Sequence, residues 1–214
     1  MYNIFRVSGD FLHLVSIFII LTKIIRQRSC YGISLRTQEL YAIVFITRYL
    51  DLFTAWTGLY NTLFKIFYLA SSIYIVYLMR KPYKLTYDHR RDVFRSIFLI
   101  IPSVVLALIF TANYHPMEIL WTFSIILESV AIFPQIILLQ QSGEIENVTA
   151  NYVVCLGGYR ALYILNWIYR LFAEKHYRAW LVWIFGLIQT GIYSDFAYYF
   201  VKAYLEGKKL SLPK

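Results

Sequence analysis

Seven long apolar runs dominate the chain, at about Ile4–Ile25, Gln38–Phe53, Leu59–Met79, Phe94–Ala112, Met117–Leu139, Tyr152–Leu171 and Trp180–Leu205. Each is near the roughly 17–25 residues that a helix needs to cross hydrocarbon, the second being borderline. A backbone in lipid must satisfy its own polar groups, so such runs are expected to be helical. The connections between them are short and leave no room for a soluble domain. Composition points the same way: 59% of the 214 residues are hydrophobic and 15% charged, where about a quarter is usual in soluble domains. The expectation is an all-α membrane protein, one seven-helix domain over residues 1–214 with 206–214 as a tail. The 19% aromatic content, 20 Tyr included, suits interfacial belts and a lined cavity.

The basic residues set the orientation. Lys23, Arg26, Arg28, Arg36, Arg80, Lys81, Lys84, Arg90, Arg91, Arg95, Lys202, Lys208, Lys209 and Lys214 follow spans one, three and seven. The opposite side has Lys175 and Arg178 in one loop, with Arg6 near the N-terminus. The positive-inside rule places the C-terminus in the cytosol and the N-terminus outside or in a lumen. The net charge of +9 therefore reflects topology, and no nucleic-acid partner is expected. Asn147-Val148-Thr149 is a glycosylation sequon, but this topology puts it in the cytosol, where it stays unmodified. Cys30 and Cys155 share no depth, so no disulfide is expected. The first span carries Arg6, Asp10 and His13 and lacks a cleavage site, unlike a signal peptide.

An internal repeat is hinted at. Arg28–Gln38 joins spans one and two, and Gln141–Asn151 joins spans five and six after Pro134-Gln135. Both run through Ser and Gly to Ser or Thr. A 3+1+3 plan follows, with half-bundles at about 1–80 and 115–205 and a linker helix at about 94–112; Pro134 is equally accounted for as an ordinary kink.

Charges inside the spans carry the functional reading. In Leu40–Phe53 (LYAIVFITRYLDLF) Arg48 and Asp51 lie three residues apart. An arginine in hydrocarbon costs from about 3 to over 10 kcal/mol, so it faces a partner or a wet cavity. One reading pairs Arg48 with Asp51 as a structural bridge; the other makes both part of a polar site. Arg6, Asp10 and His13 share one face of span one. Arg160, Tyr163, Trp167 and Arg170 form a stripe on span six, flanked by Tyr159 and Asn166. Glu118 opens span five and Glu128 sits near mid-membrane. Arg6, Arg48, Arg160 and Arg170 balance Asp10, Asp51, Glu118 and Glu128, so the expected guest is dipolar. Carboxylates would meet guanidinium forks and a cationic end would meet Asp51 or Glu118. A short peptide with a free C-terminus fits. His13 is either a neutral residue satisfied by a hydroxyl or a proton sensor, with Glu128 as a second titrating group.

No enzyme is expected: nucleophile–base pairs, metal-spaced clusters and phosphate loops are missing, and His13, His89, His115 and His176 are scattered. Phe5-Arg6 with Asp10 and His13, RSCYGISLRTQ, FITRYLDLFT, EILWTFSIILESVAIFPQ, GGYRALYILNWIYR and the tail GKKLSLPK together resemble the KDEL/HDEL receptor family, the endoplasmic-reticulum protein-retaining receptors. The resemblance runs from residue 3 to the last.

It implies a pH-dependent sorting receptor in the endoplasmic reticulum, Golgi and transport vesicles, with a lumenal N-terminus and cytosolic C-terminus. Such receptors bind C-terminal KDEL/HDEL-type signals of soluble proteins in the Golgi and return them in COPI-coated vesicles. The implied fold is SWEET/PQ-loop-like, two three-helix bundles joined by the fourth helix. Position by position, Arg6, Arg48 and Arg170 would engage the signal's carboxylates. Asp51, Glu118 and Trp167 would take its Lys or His, with Tyr49, Tyr163 and Asn166 lining the pocket. His13 would sense protons beside Glu128, Tyr159 and Arg160, protons being the effector and no cofactor being needed. Asp195 would bear on trafficking, and Lys208 and Lys209 would form the coat-binding signal, although such a tail also reads as a stop-transfer flank. Arg178 departs from the acidic residue of the family pattern. The alternative function is a small SWEET/PQ-loop-type transporter of a sugar or amino acid, which would need its site near the midplane rather than at lumenal depth.

Overall fold

A computed structural model describes residues 3–56, 58–143, 145–175, 177 and 179–213. Arg178, His176 and Lys214, all used in the sequence reading, lie outside them. The described residues are all-α: α1 (Ile4–Gln27), α2 (Leu35–Arg48), α3 (Leu59–Arg80), α4 (Ile97–Phe110), α5 (Pro116–Val130), α6 (Phe133–Ser142), α7 (Asn147–Ala173) and α8 (Trp180–Leu205), with short 3-10 turns at Leu50–Phe53 and Lys84–Thr86.

Local chemistry sets several ends. The Asn3 side chain accepts the Arg6 N–H and caps α1, and Ser34 caps α2 by accepting from Thr37, each satisfying a donor the helix cannot. Pro116, which has no N–H to leave unpaired, starts α5. Two breaks fall inside the expected spans. The second span does not run through Phe53: α2 stops at Arg48, and Asp51 lies in the following 3-10 turn. The fifth is broken at Ala131-Ile132, because Pro134 has no N–H to continue the ladder.

Among the described residues, three helical stretches are long and apolar enough to cross a membrane: Ile4–Gln27, Leu59–Arg80 and Pro116–Ser142. α4 is apolar but shorter, and α2 has only 14 residues.

Two packing units divide the chain, one formed by residues up to 32 with those from 139 onward, the other by 33–138. This partition differs from the half-bundles expected at about 1–80 and 115–205. In the first unit α1 packs along α7, and α7 against α8. Two glycines permit this close approach. A Cβ on Gly9 would sit 2.9 Å from the Tyr163 ring, and one on Gly186 would sit 2.3 Å from Trp167. Both rings belong to the candidate site.

In the second unit α2 packs on α3 and α5, and α4 on α5. The break before Pro134 turns Gln135 onto the start of α2. Its Oε1 accepts from the Ser34 N–H at 2.8 Å, and its own N–H donates to Thr37 Oγ1 at 3.0 Å. The buried Asp92 carboxylate holds the α3–α4 connection there too. It accepts from Ser34 Oγ at 2.9 Å, the Arg36 N–H at 3.2 Å and Tyr87 Oη at 2.5 Å. Burial, and then that bond to a carboxylate, push the Tyr87 phenol well above its usual range.

Candidate functional site

In the second unit, Arg48 ends α2 and reaches α5. Its Nη1 lies 2.5 Å from Glu128 Oε2, and its Nε donates to Ser124 Oγ at 3.0 Å. The Glu128 and Arg48 side chains are 5% and 18% exposed, so this is a largely dehydrated pair. Its third nitrogen, Nη2, is buried and makes no hydrogen bond among the described residues. A guanidinium is a planar five-donor fork suited to carboxylates, and this one keeps an edge uncommitted.

Asp51 does not pair with Arg48, so the structural-bridge reading of those two residues is set aside. Its Oδ2 accepts from Lys65 Nζ of α3 at 2.6 Å, while Oδ1 is buried without a hydrogen bond. The 3-10 turn after Tyr49 separates the two side chains' partners, taking Asp51 out of the helical register that suggested pairing. Tyr49 caps α2 and stacks on Phe45 with ring centroids 5.7 Å apart. Glu118 sits half-buried in the first turn of α5.

The first unit carries the other group. Asp10 and His13 are both 7% exposed on α1, and Arg6 is half-buried one turn before Asp10. Tyr163 of α7 donates a short hydrogen bond to Asp10 Oδ1. His13 lies flat on Tyr159, centroids 4.2 Å apart and planes 6° from parallel. The buried Arg160 sets its guanidinium 5.1, 5.9 and 6.0 Å from the ring centres of Tyr159, Tyr163 and Trp167. Cation–π attraction of this kind gains strength where water is excluded. Arg160 also donates to Tyr159 Oη at 3.2 Å. Trp167 packs on Trp183 of α8, and buried Asn166 accepts from Asn3 at 2.7 Å.

The stripe expected on span six is thus real as far as Trp167. Arg170 turns elsewhere: it forks onto Glu174 at 3.0 and 2.8 Å and covers the Tyr177 ring at 4.1 Å. Hydrogen bonding from Arg170 holds the Glu174 carboxyl below its ordinary range. Burial pushes Tyr177 up, partly offset by the Arg170 charge.

Trafficking candidates are exposed. Asp195 lies on the surface of α8. Lys208 pairs with Glu206 at 2.8 Å, a hydrogen bond that raises the lysine and lowers the carboxyl. Leu210 is buried, and its carbonyl accepts from the Ile145 N–H at 2.9 Å.

Sequence reasoning missed Ser124, Lys65 and Glu174, which hold Arg48, Asp51 and Arg170. Lys65 was discoverable, being a lone cation inside an apolar run. It also used Lys23 only for topology. That side chain is 4% exposed and donates to Thr149 Oγ1 at 2.5 Å and the Tyr31 carbonyl at 2.9 Å, with Glu146 at 2.7 Å. Burial tends to raise Glu146, but hydrogen bonds from Lys23 and Gln27 outweigh it and leave the carboxyl below its usual range.

Known proteins bear on this arrangement. The family model described as ER lumen protein retaining receptor matches residues 29–170. An ER lumen protein-retaining receptor of Entamoeba histolytica is 52% identical over 212 residues. ER lumen protein-retaining receptor B of Arabidopsis thaliana is 51% identical over 213, and receptor 2 of Homo sapiens 50% over 211. Each match covers 99% of both chains. The chain belongs to the ER lumen protein-retaining receptor family.

Proposed function

We propose that this chain is a receptor that retains soluble proteins of the endoplasmic reticulum by binding a C-terminal KDEL/HDEL-type signal. It is a multi-pass membrane protein with seven spans, α5 and α6 together forming the fifth, arranged as two three-helix bundles joined by the fourth. The N-terminus is lumenal and the C-terminus cytosolic. The signal is captured in the Golgi and delivered back by COPI-coated vesicles through Lys208 and Lys209, with Asp195 contributing to trafficking. No cofactor takes part; protons are the effector.

One observation carries the binding step: the buried Nη2 of Arg48, unbonded among the described residues while the rest of its guanidinium is fixed by Glu128 and Ser124. A buried donor without a partner costs about 1–3 kcal/mol, more when charged, and an incoming carboxylate removes that cost. Arg6 and Arg170 receive further carboxylates of the signal. Asp51 and Glu118, with Trp167, receive its Lys or His, and Tyr49, Tyr163 and Asn166 line the remainder. Glu128, Tyr159 and Arg160 form the network through which His13 acts. Protonating His13, which lies on Tyr159 beside Asp10, Tyr163 and Arg160, adds positive charge and favours an anionic guest. One linked proton changes affinity by at most about tenfold per pH unit.

The test is equilibrium binding of KDEL, HDEL and C-terminally amidated KDEL peptides to the purified protein between pH 7 and 6. Both acids should bind more tightly at the lower pH, and the amide should lose most of its affinity. Equal binding of amide and acid would exclude carboxylate recognition.

A further inference from the structure

The end of α1 opposite the site residues Arg6 to His13 carries a groove that the reading above does not use. It has a volume of about 540 Å³ and runs between the last turns of α1 and the start of α7. Its apolar part is Val15, Phe18, Ile19 and Val148, and its polar end is Arg26 with Asn151. From Val15 to Arg26 the helix rises about 16 Å, enough for much of an acyl chain.

The charges at this groove do not cancel: Glu146, 41% exposed, stands at its edge on Lys23 and Gln27 but leaves Arg26 without a counter-charge. The groove's lining includes two cations, Lys23 and Arg26, and no acid. Lys23 is committed beneath the surface to Glu146, Thr149 and Tyr31. Arg26 and Asn151 are exposed, and neither side chain makes an ion pair or hydrogen bond among the described residues. α7 begins at Asn147, so the positive end of its dipole borders the same rim. A cation, an amide and a helix start thus stand at one end of an apolar trough.

We propose that this groove binds one anionic glycerophospholipid. The phosphate and headgroup lie at Arg26 and Asn151, and an acyl chain lies along Phe18, Ile19 and Val148. Charge complementarity selects this occupant: a zwitterionic lipid brings a cation as well as its phosphate to Arg26, which offsets the attraction, and a soluble phosphate leaves the apolar trough in contact with water. Basic pockets at the cytoplasmic ends of membrane helices are suited to anionic headgroups, and each buried CH₂ contributes further. The inference rests on α1 lying in a bilayer, not on peptide recognition.

The experiment uses the full-length protein in detergent, titrated with palmitoyl-oleoyl phosphatidylserine or phosphatidylcholine and read by native mass spectrometry. KDEL-peptide binding is measured on the same preparations. The serine lipid should bind about tenfold more tightly than the choline lipid. Arg26→Gln should weaken it about fivefold, and Val148→Trp should block either lipid by filling the trough. Soluble glycerophosphoserine should not compete. Equal binding of both lipids, an unaltered Arg26→Gln, or full competition by the soluble headgroup would each overturn the proposal. If Val148→Trp fails to fold, Arg26→Gln, an exposed substitution, decides alone. Peptide binding should be unchanged in Arg26→Gln; its loss in wild type with lipid selectivity intact would refute the receptor reading and leave the lipid site standing.

Discussion

Arg48→Ala should damage the protein in two separable ways. The first is structural. The substitution leaves the Glu128 carboxylate, 5% exposed, without the guanidinium 2.5 Å away. Removing one partner of a buried ion pair typically destabilises by about 3–5 kcal/mol. For a chain of this size each kcal/mol moves the melting temperature by roughly 2–4 °C, so a fall of about 6–20 °C is expected in a detergent melt. Adding Glu128→Gln removes the stranded charge while keeping the side chain's shape. The double variant should therefore recover most of that fall. What remains comes from the vacated arginine volume and the lost hydrogen bond to Ser124, about 1 kcal/mol for the bond itself.

The second effect is on peptide affinity, which depends on the guanidinium itself. Neither Arg48→Ala nor the double variant should bind a KDEL peptide. Arg48→Lys should fold, because it keeps a cation near Glu128, but bind weakly, because an ammonium has no second edge for the ligand. The pairwise coupling follows from the melting temperatures of the two single variants and the double. A double variant no more stable than Arg48→Ala would refute the stranded-carboxylate argument. Peptide binding restored together with stability would show that Arg48 is a structural residue only.

His13→Ala should flatten the rise in peptide affinity between pH 7 and 6, measured by the same titration; an unchanged profile would move the sensor elsewhere. Glu146→Gln should lower the melting temperature at pH 7 by a few degrees at most, since half-exposed pairs are weak. The sign follows from the depressed Glu146 carboxyl: its stabilisation is present above the unfolded carboxylate value near 4.3 and fades as pH falls through the lower folded value. The gap between wild type and variant should therefore begin to narrow below about pH 4.3 and close only below the folded value, and a gap unchanged from pH 7 to about pH 3 would disprove the linkage. Lys208→Ser with Lys209→Ser should leave peptide affinity intact and strand the receptor outside the endoplasmic reticulum, as seen by localisation microscopy.

The sequence exposed the helices better than it exposed their partners. Spans one, three and seven became α1, α3 and α8 almost residue for residue, because continuous hydrophobicity bounded by charge is a one-dimensional signal. The stop of α2 at Arg48 was hidden, since LYAIVFITRYLDLF stays apolar across the break. Tertiary bonds from Arg48 to Glu128 and Ser124 fix that end rather than any local breaker. The stripe from Arg160 to Trp167 was legible from helical spacing. The turn of Arg170 towards Glu174 was not, because an i, i+4 partner beyond the span competes with the face of the helix. Asp92 shows the same limit: nothing local in the basic segment HRRDVFR marks it as a buried residue. Its burial depends on Ser34, Arg36 and Tyr87 arriving from elsewhere in the chain.

Three charged groups proposed to meet the signal are already held by opposite charges: Arg48 by Glu128, Asp51 by Lys65 and Arg170 by Glu174. A charge left alone inside a membrane protein costs at least about 3 kcal/mol, so a receptor that spends part of its cycle without cargo needs such surrogates. Binding the signal then exchanges or extends ion pairs rather than creating them, and the net affinity is the small difference between two sets of similar contacts. A proton shifts a small difference effectively: one unit of pH on a linked group is worth up to about 1.4 kcal/mol. Internal counter-charges would thus lower the strength of capture and, by the same amount, ease release. That trade favours a receptor that must give up its cargo over one built only to hold it.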